Sequence, residues 1–406
     1  WEQRKLSEIA DKVTEKNKDN EFDEPFTNSA EQGIISQKDY FDRDIVNEEN
    51  LGNYYIVRNN DFVYNPRISV TAPVGPINRN RLGRNGVMSP LYTVFRTKNI
   101  EPLYLEYYFK TTAWHRFMKL NGDSGARFDR FTISSQTFME MPIPYPCIEE
   151  QAKVGQYFDE LEKLITLHQR KCEEVRKLKK FMLQKMFPQN GSLVPKIRFG
   201  GFTDDWEQRK LGEVLVSLQN NTLSRAELSS ETGVAKNVHY GDVLIKFGEV
   251  LDVRKESLPM ISDESVLTKY KASFLQNGDV IVADTAEDST VGKCSEIAGL
   301  NDEVVLSGLH TIPYRPIEKF ASGYLGYYLN SSAYHNQLIP LMQGIKVTSI
   351  SKSVMQNTDI VYPNSLKEQQ KIGAYFSTLD HLITLHQQKC TDLKNLKIYM
   401  LQNMFV

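Results

Sequence analysis

Apolar residues recur every three or four positions in two long segments of this chain, residues 150–187 and 368–405. In the first segment the apolar stripe consists of Val154, Phe158, Leu161, Leu164, Ile165, Cys172, Val175, Leu178, Met182 and Met186. Such spacing places the side chains along one face of an α-helix. Each segment begins just after a proline with an acidic turn, in YPCIEEQ and YPNSLKEQ, which complements the positive end of a helix dipole. The pattern predicts two helices of about 38 residues, each about 57 Å long.

The two segments are copies of one sequence, since 22 of their 38 positions are identical without a gap. A second repeat, WEQRKL, occurs at residues 1–6 and again at residues 206–211. The parts between these repeats differ between the copies. We therefore predict a variable domain at residues 1–148, a helix at 149–187, a linker at 188–205, a second variable domain at 206–366 and a second helix at 367–406.

An amphipathic helix of this length needs a partner to bury its apolar stripe, and the other copy is the simplest one. We expect the two helices to pack as an antiparallel, coiled-coil-like spacer that relates the two domains by a pseudo-twofold axis. The residues expected in this packing are Leu161, Ile165, His168, Cys172, Val175, Leu379, Ile383, His386, Cys390 and Leu393.

The variable parts contain short β-branched and aromatic runs bounded by Gly, Asn and Pro, which is typical of strands. These runs are YYIV, DFVYN, LYTVF, DVLIKF, DVIVAD and EVVLS. Residues 102–120 and 320–341 are rich in Tyr and Leu and predict helices. The predicted fold class is therefore mixed α/β, with each variable domain of roughly 150 residues.

Charge and composition narrow the possible functions. The chain has 49 basic and 51 acidic residues, so any DNA binding must rest on local patches rather than on an overall basic charge. No apolar run approaches the roughly 18 to 20 residues that span a bilayer, and no signal-peptide pattern opens the chain, so we expect a cytoplasmic protein without membrane contact. The four cysteines are scattered and predict reduced thiols rather than a metal site.

No motif predicts covalent chemistry. YNPR at residues 64–67 is similar to the Asn-Pro-Pro-aromatic loop of adenine methyltransferases, but Arg67 replaces the second proline and Ile68 replaces the aromatic residue. VGKC at residues 291–294 lacks the other residues of a phosphate-binding loop, and the seven histidines show no metal-binding spacing. We therefore expect no catalytic residue, metal or cofactor in this chain.

Two basic patches in the first domain are the remaining candidates for a functional site. Residues 66–85 carry four arginines and no acidic residue, and residues 121–131 carry two more, with residues 342–350 as their counterpart in the second copy. Arginine and asparagine recognise guanine and adenine edges, and cations neutralise phosphates, whereas an ordinary solvated surface is the alternative for each patch. The candidate DNA contacts are Asn65, Arg67, Arg79, Arg81, Arg84, Arg127, Arg130, Lys246, Lys293 and Lys346.

The chain thus has two dissimilar domains that each begin at WEQRKL and end in a near-identical helix running from EQ to MLQxMF. This arrangement resembles the DNA-specificity subunit of type I restriction-modification enzymes. The resemblance implies that each variable domain is a target recognition domain for one half of a bipartite DNA sequence and that the helices set the gap. It also implies two modification (methyltransferase) subunits with S-adenosylmethionine and two restriction (motor-nuclease) subunits with ATP and Mg as partners. This chain itself would be non-catalytic and would hold none of these cofactors.

Two alternatives remain from the sequence. One is an enzyme with its own recognition domains, and the other is a coiled-coil scaffold or DNA-binding regulator without a restriction-modification role. One departure from the repeat concerns VPKIRFGGFTDD, which precedes the second Trp copy. We expect a matching segment before Trp1 in the full gene product.

Overall fold

The computed structural model describes residues 1–41, 48–123, 129–189 and 191–405. The chain forms two compact units. Unit 1 comprises Trp1–Gln169 and Gln388–Val406, and unit 2 comprises Arg170–Gln387. Each unit therefore contains one variable domain together with part of both long helical segments.

Unit 1 is a mixed α/β structure. Its strands are β1 (Glu2–Lys5), β2 (Ala10–Lys12), β3 (Phe26–Ser29), β4 (Gly33–Ser36), β5 (Tyr55–Val57), β6 (Phe62–Tyr64), β7 (Ile77–Arg79), β8 (Gly86–Met88), β9 (Thr93–Thr97) and β10 (Pro142–Tyr145). Its helices are α1 (Leu6–Ile9), α2 (Gln37–Tyr40), α3 (Pro102–Phe109), α4 (His115–Asn121), α5 (Ser135–Met139) and the first part of α6 (Ile148–Lys185), and a 3-10 helix spans Glu48–Asn53.

The largest sheet of unit 1 has four strands in the order β2-β9-β6-β7, all antiparallel. The described part of unit 1 also contains three separate two-stranded sheets, β1-β10, β3-β4 and β5-β8. Aromatic side chains fill the core beside the main sheet, where the rings of Phe62 and Phe95 stack with centroids 5.4 Å apart. Buried aromatic pairs of this kind bury much apolar surface and hold the sheet against the helices.

Unit 2 follows the same plan with a larger sheet. Its strands are β11 (Glu207–Lys210), β12 (Leu215–Ser217), β13 (Ala235–Val238), β14 (Val250–Asp252), β15 (Met260–Ile261), β16 (Val280–Ala283), β17 (Thr285–Ala286), β18 (Cys294–Ala298), β19 (Val305–Ser307), β20 (Thr311–Pro316), β21 (Thr348–Ser349) and β22 (Asp359–Tyr362). Its helices are α7 (Leu211–Val214), α8 (Tyr240–Ile245), α9 (Glu264–Lys269), α10 (Tyr324–Asn330), α11 (Ser332–His335), α12 (Lys352–Gln356) and α13 (Leu366–Met404), with 3-10 helices at Arg225–Glu227, Lys271–Ser273 and Ile339–Leu341. The last part of α6 belongs to unit 2, and the last part of α13 belongs to unit 1.

The main sheet of unit 2 has the order β12-β20-β16-β18-β14, and a second sheet has the order β15-β13-β19. Most strand pairs are antiparallel, whereas β14-β18 and β13-β19 are parallel. Mixed sheets of this kind agree with the predicted α/β class.

The repeated WEQRKL segment has the same structural role in both units. Its strand pairs antiparallel with the strand that leads into the long helix, β1 with β10 in unit 1 and β11 with β22 in unit 2. Leu6 and Leu211, the last residues of the two repeats, are fully buried, and their backbone N–H groups donate to the carbonyls of Met141 and Thr358. The repeat therefore joins the entry of each domain to the start of its helix.

The two long helices are confirmed as α6 and α13, with 38 and 39 residues. Within each unit their segments run antiparallel. Phe158 stacks on Phe405 at 5.9 Å in unit 1, and Phe187 stacks on Phe376 at 5.8 Å in unit 2. Of the residues proposed for helix packing, Leu161, Ile165, Cys172, Leu379 and Cys390 are buried, and His168, Val175, Ile383, His386 and Leu393 are half-buried. Among the described residues, no helix has both the length and the apolar composition needed to cross a membrane.

One predicted strand is wrong, because DVLIKF lies largely in α8 and not in a sheet. The side chain of His239 accepts the N–H of Gly241 and caps this helix, while Val243 and Phe247, four residues apart, are buried. The sequence pattern of a short apolar run is compatible with a strand or a helix. Here the two buried residues, Val243 and Phe247, are four positions apart, which agrees with a helix. The predicted helices at residues 102–120 and 320–341 are each divided into shorter helices.

Candidate nucleic-acid interface

The loop after β6 carries the first two candidate residues, and Asn65 shapes it. Its Nδ2 donates to the carbonyl of Asn28 at 2.8 Å, and its Oδ1 accepts the backbone N–H of Arg67 at 2.9 Å. The hydroxyl of Tyr64 donates to the carbonyl of Val74 across the same loop at 2.9 Å. Asn65 thus positions Arg67, and a direct contact of Asn65 with DNA stays a prediction.

Arg67 and Arg130 lie opposite each other in an antiparallel β-bridge. A hydrogen bond of 2.7 Å from the Phe131 N–H to the Pro66 carbonyl holds the two segments together. Residues directly opposite in such a pair have Cβ atoms about 4.5 to 5.5 Å apart on one face. Both arginines are exposed, and neither makes an ion pair with the residues that the structure describes. Two exposed arginines at opposed backbone positions, neither paired with a described carboxylate, form a site suited to a polyanion.

The other arginines of the first basic patch are already neutralised within unit 1. The Nε atoms of Arg79 and Arg81 lie 2.6 and 2.8 Å from one Glu106 carboxylate oxygen, and Glu106 is largely buried. Arg84 makes two hydrogen bonds of 2.7 Å with Glu24, which raise the pKa of its guanidinium and lower that of the Glu24 carboxyl. These three arginines hold loops of unit 1 together, and their DNA contacts stay predictions. Arg127 lies outside the described residues.

In unit 2 the candidate Lys346 lies at the tip of a hairpin whose ends pair through Gln343 and Ser349. Lys346 is exposed, and its neighbour Ile345 is fully exposed. Gly344 has a φ of 115°, a left-handed conformation that side chains disfavour, and it allows the chain to turn here. The hairpin therefore presents a cation and an apolar side chain together to solvent.

The two other candidate lysines of unit 2 have internal partners. Lys246 Nζ donates to the Ser257 carbonyl at 2.5 Å and lies 3.8 Å from a Glu256 oxygen. Lys293 is half-buried and donates to the Leu244 carbonyl at 2.7 Å, and burial lowers its pKa. Lys346 is thus the candidate lysine of unit 2 that has no partner among the described residues.

A polar cluster in unit 2 was missed in the sequence. Thr285 lies opposite Ser349 in the β17-β21 pair, which occupies the place that the Arg67–Arg130 bridge occupies in unit 1. Thr285 Oγ1 donates to Asp284 Oδ1 at 2.7 Å, and His310 Nδ1 lies 3.4 Å from the same oxygen. Comparison of DVIVADT at residues 279–285 with DFVYNPR at residues 61–67 could have located this cluster, but its residues differ in type from the arginines of the first copy.

Asp284 also lines a polar groove of about 420 Å³. The groove is lined by Ser217, Leu218, Gln219, Asn220, Asp284, Thr311, Ile312, Pro313, Ile350, Ser351 and Lys352. Amide, hydroxyl and carboxylate groups supply both donors and acceptors, which is what recognition of base edges requires. Within the described residues, no group of three His, Cys, Asp or Glu side chains is placed to hold a metal ion.

Comparison with known proteins agrees with this geometry. The family described as Type I restriction modification DNA specificity domain matches residues 1–177 and 203–395. The chain is 26% identical over 324 residues to the type I restriction enzyme MjaVIII specificity subunit of Methanocaldococcus jannaschii, a match that covers 78% of this chain and 72% of that protein.

Two solved structures share the fold over the full length of this chain. The HsdS subunit from Thermoanaerobacter tengcongensis has a TM-score of 0.52 at 16% identity, with 96% of that chain covered. The type I restriction-modification S subunit from M. genitalium has a TM-score of 0.54 at 11% identity, again with 96% covered. Since the family match includes both copies of the repeated plan, this chain belongs to the type I restriction modification DNA specificity family.

Proposed function

We propose that each unit of this type I restriction-modification specificity subunit recognises one half of a bipartite DNA sequence. The exposed Arg67–Arg130 pair carries this proposal for unit 1, because two like charges held opposite each other are unfavourable until an anion neutralises them. The corresponding pair in unit 2 consists of Thr285 and Ser349, with Lys346 on the adjoining hairpin. The same backbone position thus carries different side chains, as two different half-sites require.

Phosphate and base contacts would be divided between these residues. Cations such as Arg130 and Lys346 suit phosphates, which position a protein on the duplex without reading sequence. Arg67 has its backbone fixed by Asn65 and suits a bidentate contact with guanine. In unit 2, Asp284 and the amide side chains of the polar groove suit cytosine and adenine edges.

Catalysis would belong to partner proteins. Two modification subunits would supply S-adenosylmethionine and methyl transfer, and two restriction subunits would supply ATP- and Mg-dependent translocation and cleavage. The duplicated frame of domain and helix offers two equivalent places for such partners, one in each copy. This chain would select the DNA sequence and would hold none of these cofactors.

Reconstitution with modification subunits tests the proposal. We expect methylated adenines in a split motif, and we expect exchange of residues 7–145 for the same region of another specificity subunit to change one half of the motif only. Methylation without sequence preference, or a motif that the exchange leaves intact, would contradict the proposal. Assembly with partners but no sequence-specific DNA binding would indicate a scaffold instead.

A further inference from the structure

Two aliphatic side chains are completely exposed, one in each unit. Val70 of unit 1 has an exposed fraction of 101%, and Ile345 of unit 2 has an exposed fraction of 102%. Every other large hydrophobic residue in the described part of the chain is at most 88% exposed, a value that Ile245 reaches. Single apolar residues are common on protein surfaces, so the positions of these two in the fold decide whether they are functional.

Val70 lies at the tip of a tight turn. The Ser69 N–H donates to the Ala72 carbonyl at 3.0 Å, and the Ala72 N–H donates to the Ser69 carbonyl at 3.2 Å. Ala72 is buried, and the Ile68 N–H donates to the Asp129 carbonyl at 3.0 Å, which ties the start of the turn to the neighbouring segment. The backbone is therefore fixed on both sides of Val70.

Ile345 lies at the tip of the hairpin formed by residues 343–349. The backbones of Gln343 and Ser349 exchange two hydrogen bonds, of 2.9 and 2.8 Å, at the base of this hairpin. A Cβ atom on Gly344 would lie 2.0 Å from the Val347 carbonyl oxygen, so the close approach of the chain at the tip requires glycine. An ordered backbone thus presents the apolar side chain in unit 2, as in unit 1.

Both tips adjoin the opposed pairs that we propose for DNA contact. Val70 lies three residues after Arg67 of the unit 1 pair, and Ile345 lies four residues before Ser349 of the unit 2 pair. Four residues of extended chain span at most about 14 Å, and the major groove of B-DNA is about 12 Å wide. Each tip can therefore contact the same half-site as the pair beside it, and the exposed Lys346 next to Ile345 supplies positive charge towards the DNA backbone.

An aliphatic side chain can recognise one feature of a base pair in the major groove. The base edges there carry hydrogen-bond donors and acceptors, and the C5 methyl group of thymine is the apolar exception. Burial of one methyl group strengthens binding about fourfold. Because the turns that carry Val70 and Ile345 are already ordered, little conformational entropy is lost when these side chains are buried.

We propose that Val70 and Ile345 each recognise a thymine, one in each half-site, by packing on its C5 methyl group in the major groove. The inference rests on the proposed function, because it requires that each unit contacts its own half of the DNA sequence. The apolar contacts complement the guanidinium, carboxylate and amide groups of the same sites, which recognise donors and acceptors but not a methyl group.

Replacement of thymine by uracil tests the inference, because uracil lacks the C5 methyl group and keeps the hydrogen-bonding groups of thymine. Methylation by the complex reconstituted with modification subunits first gives the DNA motif. Each thymine of the motif is then replaced in turn, and the affinity of the complex for each duplex is measured by titration. We expect one uracil in each half-site to weaken binding about fourfold.

Val70→Ala should weaken binding by at least about fourfold and abolish the uracil effect in one half-site only, and Ile345→Ala should do so in the other half-site. Ile148→Ala and Ile317→Ala, at exposed positions outside both tips, are the matched controls and should keep the affinity and both uracil effects. Since both tips are fully exposed, Val70→Ala and Ile345→Ala should also keep the unfolding temperature of the free chain.

Sequence-specific binding that no uracil and neither tip variant weakens would overturn the inference and leave the proposed function intact. Uniform weakening on all duplexes by the tip variants, with both uracil effects retained, would also overturn it, since it would indicate apolar side chains that enter the base stack at any sequence. A reconstituted complex with no sequence preference at all would overturn the proposed function and the inference together.

Discussion

Lys179 Nζ of α6 lies 2.6 Å from Asp380 Oδ1 of α13 within unit 2. The same pair of positions recurs in unit 1 with exchanged helices, where Lys397 Nζ of α13 lies 2.6 Å from Glu162 Oε1 of α6. Each ion pair is extended to its own variable domain, since Lys179 also lies 2.8 Å from Glu249 and Glu162 also lies 2.9 Å from Lys110. The repeat therefore duplicates the ion pair between the two helices. In each unit the variable domain adds a third charged residue, an acidic one beside the lysine of α6 and a basic one beside the glutamate of α6.

Replacement of Lys179 by Met should destabilise unit 2. The lysine side chain is 14% exposed and neutralises both Asp380 and Glu249, which would be left unpaired in a partly buried site. We expect a loss of about 1.5 to 3 kcal/mol, measured as a lower unfolding midpoint in calorimetry. Lys180→Met, at the exposed neighbouring position, should have little effect. Equal losses in the two variants would show that the ion pair contributes nothing specific.

Replacement of Arg67 by Ala should have opposite effects on DNA binding and on folding. Removal of one of two opposed like charges should leave the free chain equally stable or more stable by about 0.2 to 1 kcal/mol. Binding to DNA should weaken by about 1 to 3 kcal/mol, with altered preference in one half-site only. The measurements are thermal unfolding of the free chain and DNA-binding titrations of the reconstituted complex on a panel of half-site variants.

Arg84→Ala provides the comparison for this experiment, because Arg84 is paired with Glu24. We expect it to change DNA affinity less than Arg67→Ala does. Equal loss of affinity in both variants would place Arg84 in the interface as well. A uniform loss on all DNA sequences for Arg67→Ala, with a reduced dependence on salt, would indicate a phosphate contact instead of a base contact.

The stability of unit 2 should depend on the protonation of Glu296. Burial raises the pKa of this carboxyl to about 7, against backbone hydrogen bonds from Gly323 and Gly326 that favour the charged form. Because the folded chain holds the proton more tightly than the unfolded chain, whose carboxyl has a pKa near 4.5, the contribution of this group is complete below pH 4.5. It is lost as the pH rises through about 7.

We therefore expect Glu296→Gln to reduce the fall in unfolding temperature between pH 5 and pH 8 relative to the unmodified chain. The exposed Glu287 supplies the control, since Glu287→Gln should keep the original pH dependence. An unchanged pH dependence in Glu296→Gln would show that another group titrates in this range.

Replacement of the buried Gln151 in unit 1 and of the buried Gln369 in unit 2 should destabilise the two units equally. Gln151 accepts the Glu101 N–H at 2.9 Å and donates to the Pro146 carbonyl at 2.8 Å, and Gln369 makes the same two bonds, at the same lengths, with Ala321 and Pro363. Replacement of either by Ala leaves a buried backbone donor and acceptor unpaired.

Each replacement should cost about 1 to 3 kcal/mol in the unfolding of its own unit, measured by calorimetry. Gln156→Ala, at an exposed position of α6, should be close to neutral because alanine favours a helix. A neutral Gln151→Ala or Gln369→Ala would mean that water replaces both bonds at low cost.

Much of the candidate interface depends on contacts between distant parts of the chain. Arg67, Arg79, Arg81, Arg84 and Arg130 were equivalent candidates by residue type. Arg79, Arg81 and Arg84 pair with carboxylates from other segments, whereas Arg67 and Arg130 lie opposite each other in a β-bridge and pair with no described carboxylate. Nothing in the local sequence distinguishes these two groups.

The two long helices, the repeated WEQRKL segment at the entry of each domain and the mixed α/β class could be predicted from the sequence. Helical spacing depends on residues three or four positions apart, and a repeat is found by comparing two segments of the sequence. Neither requires knowledge of how the rest of the chain folds. Three features required the folded structure: the helix that contains most of DVLIKF, the polar cluster of Asp284, Thr285 and His310, and the identity of the candidate cations that have no carboxylate partner among the described residues. The physical reason is that burial and charge neutralisation depend on side chains brought together from distant segments, and short stretches of sequence do not encode those encounters.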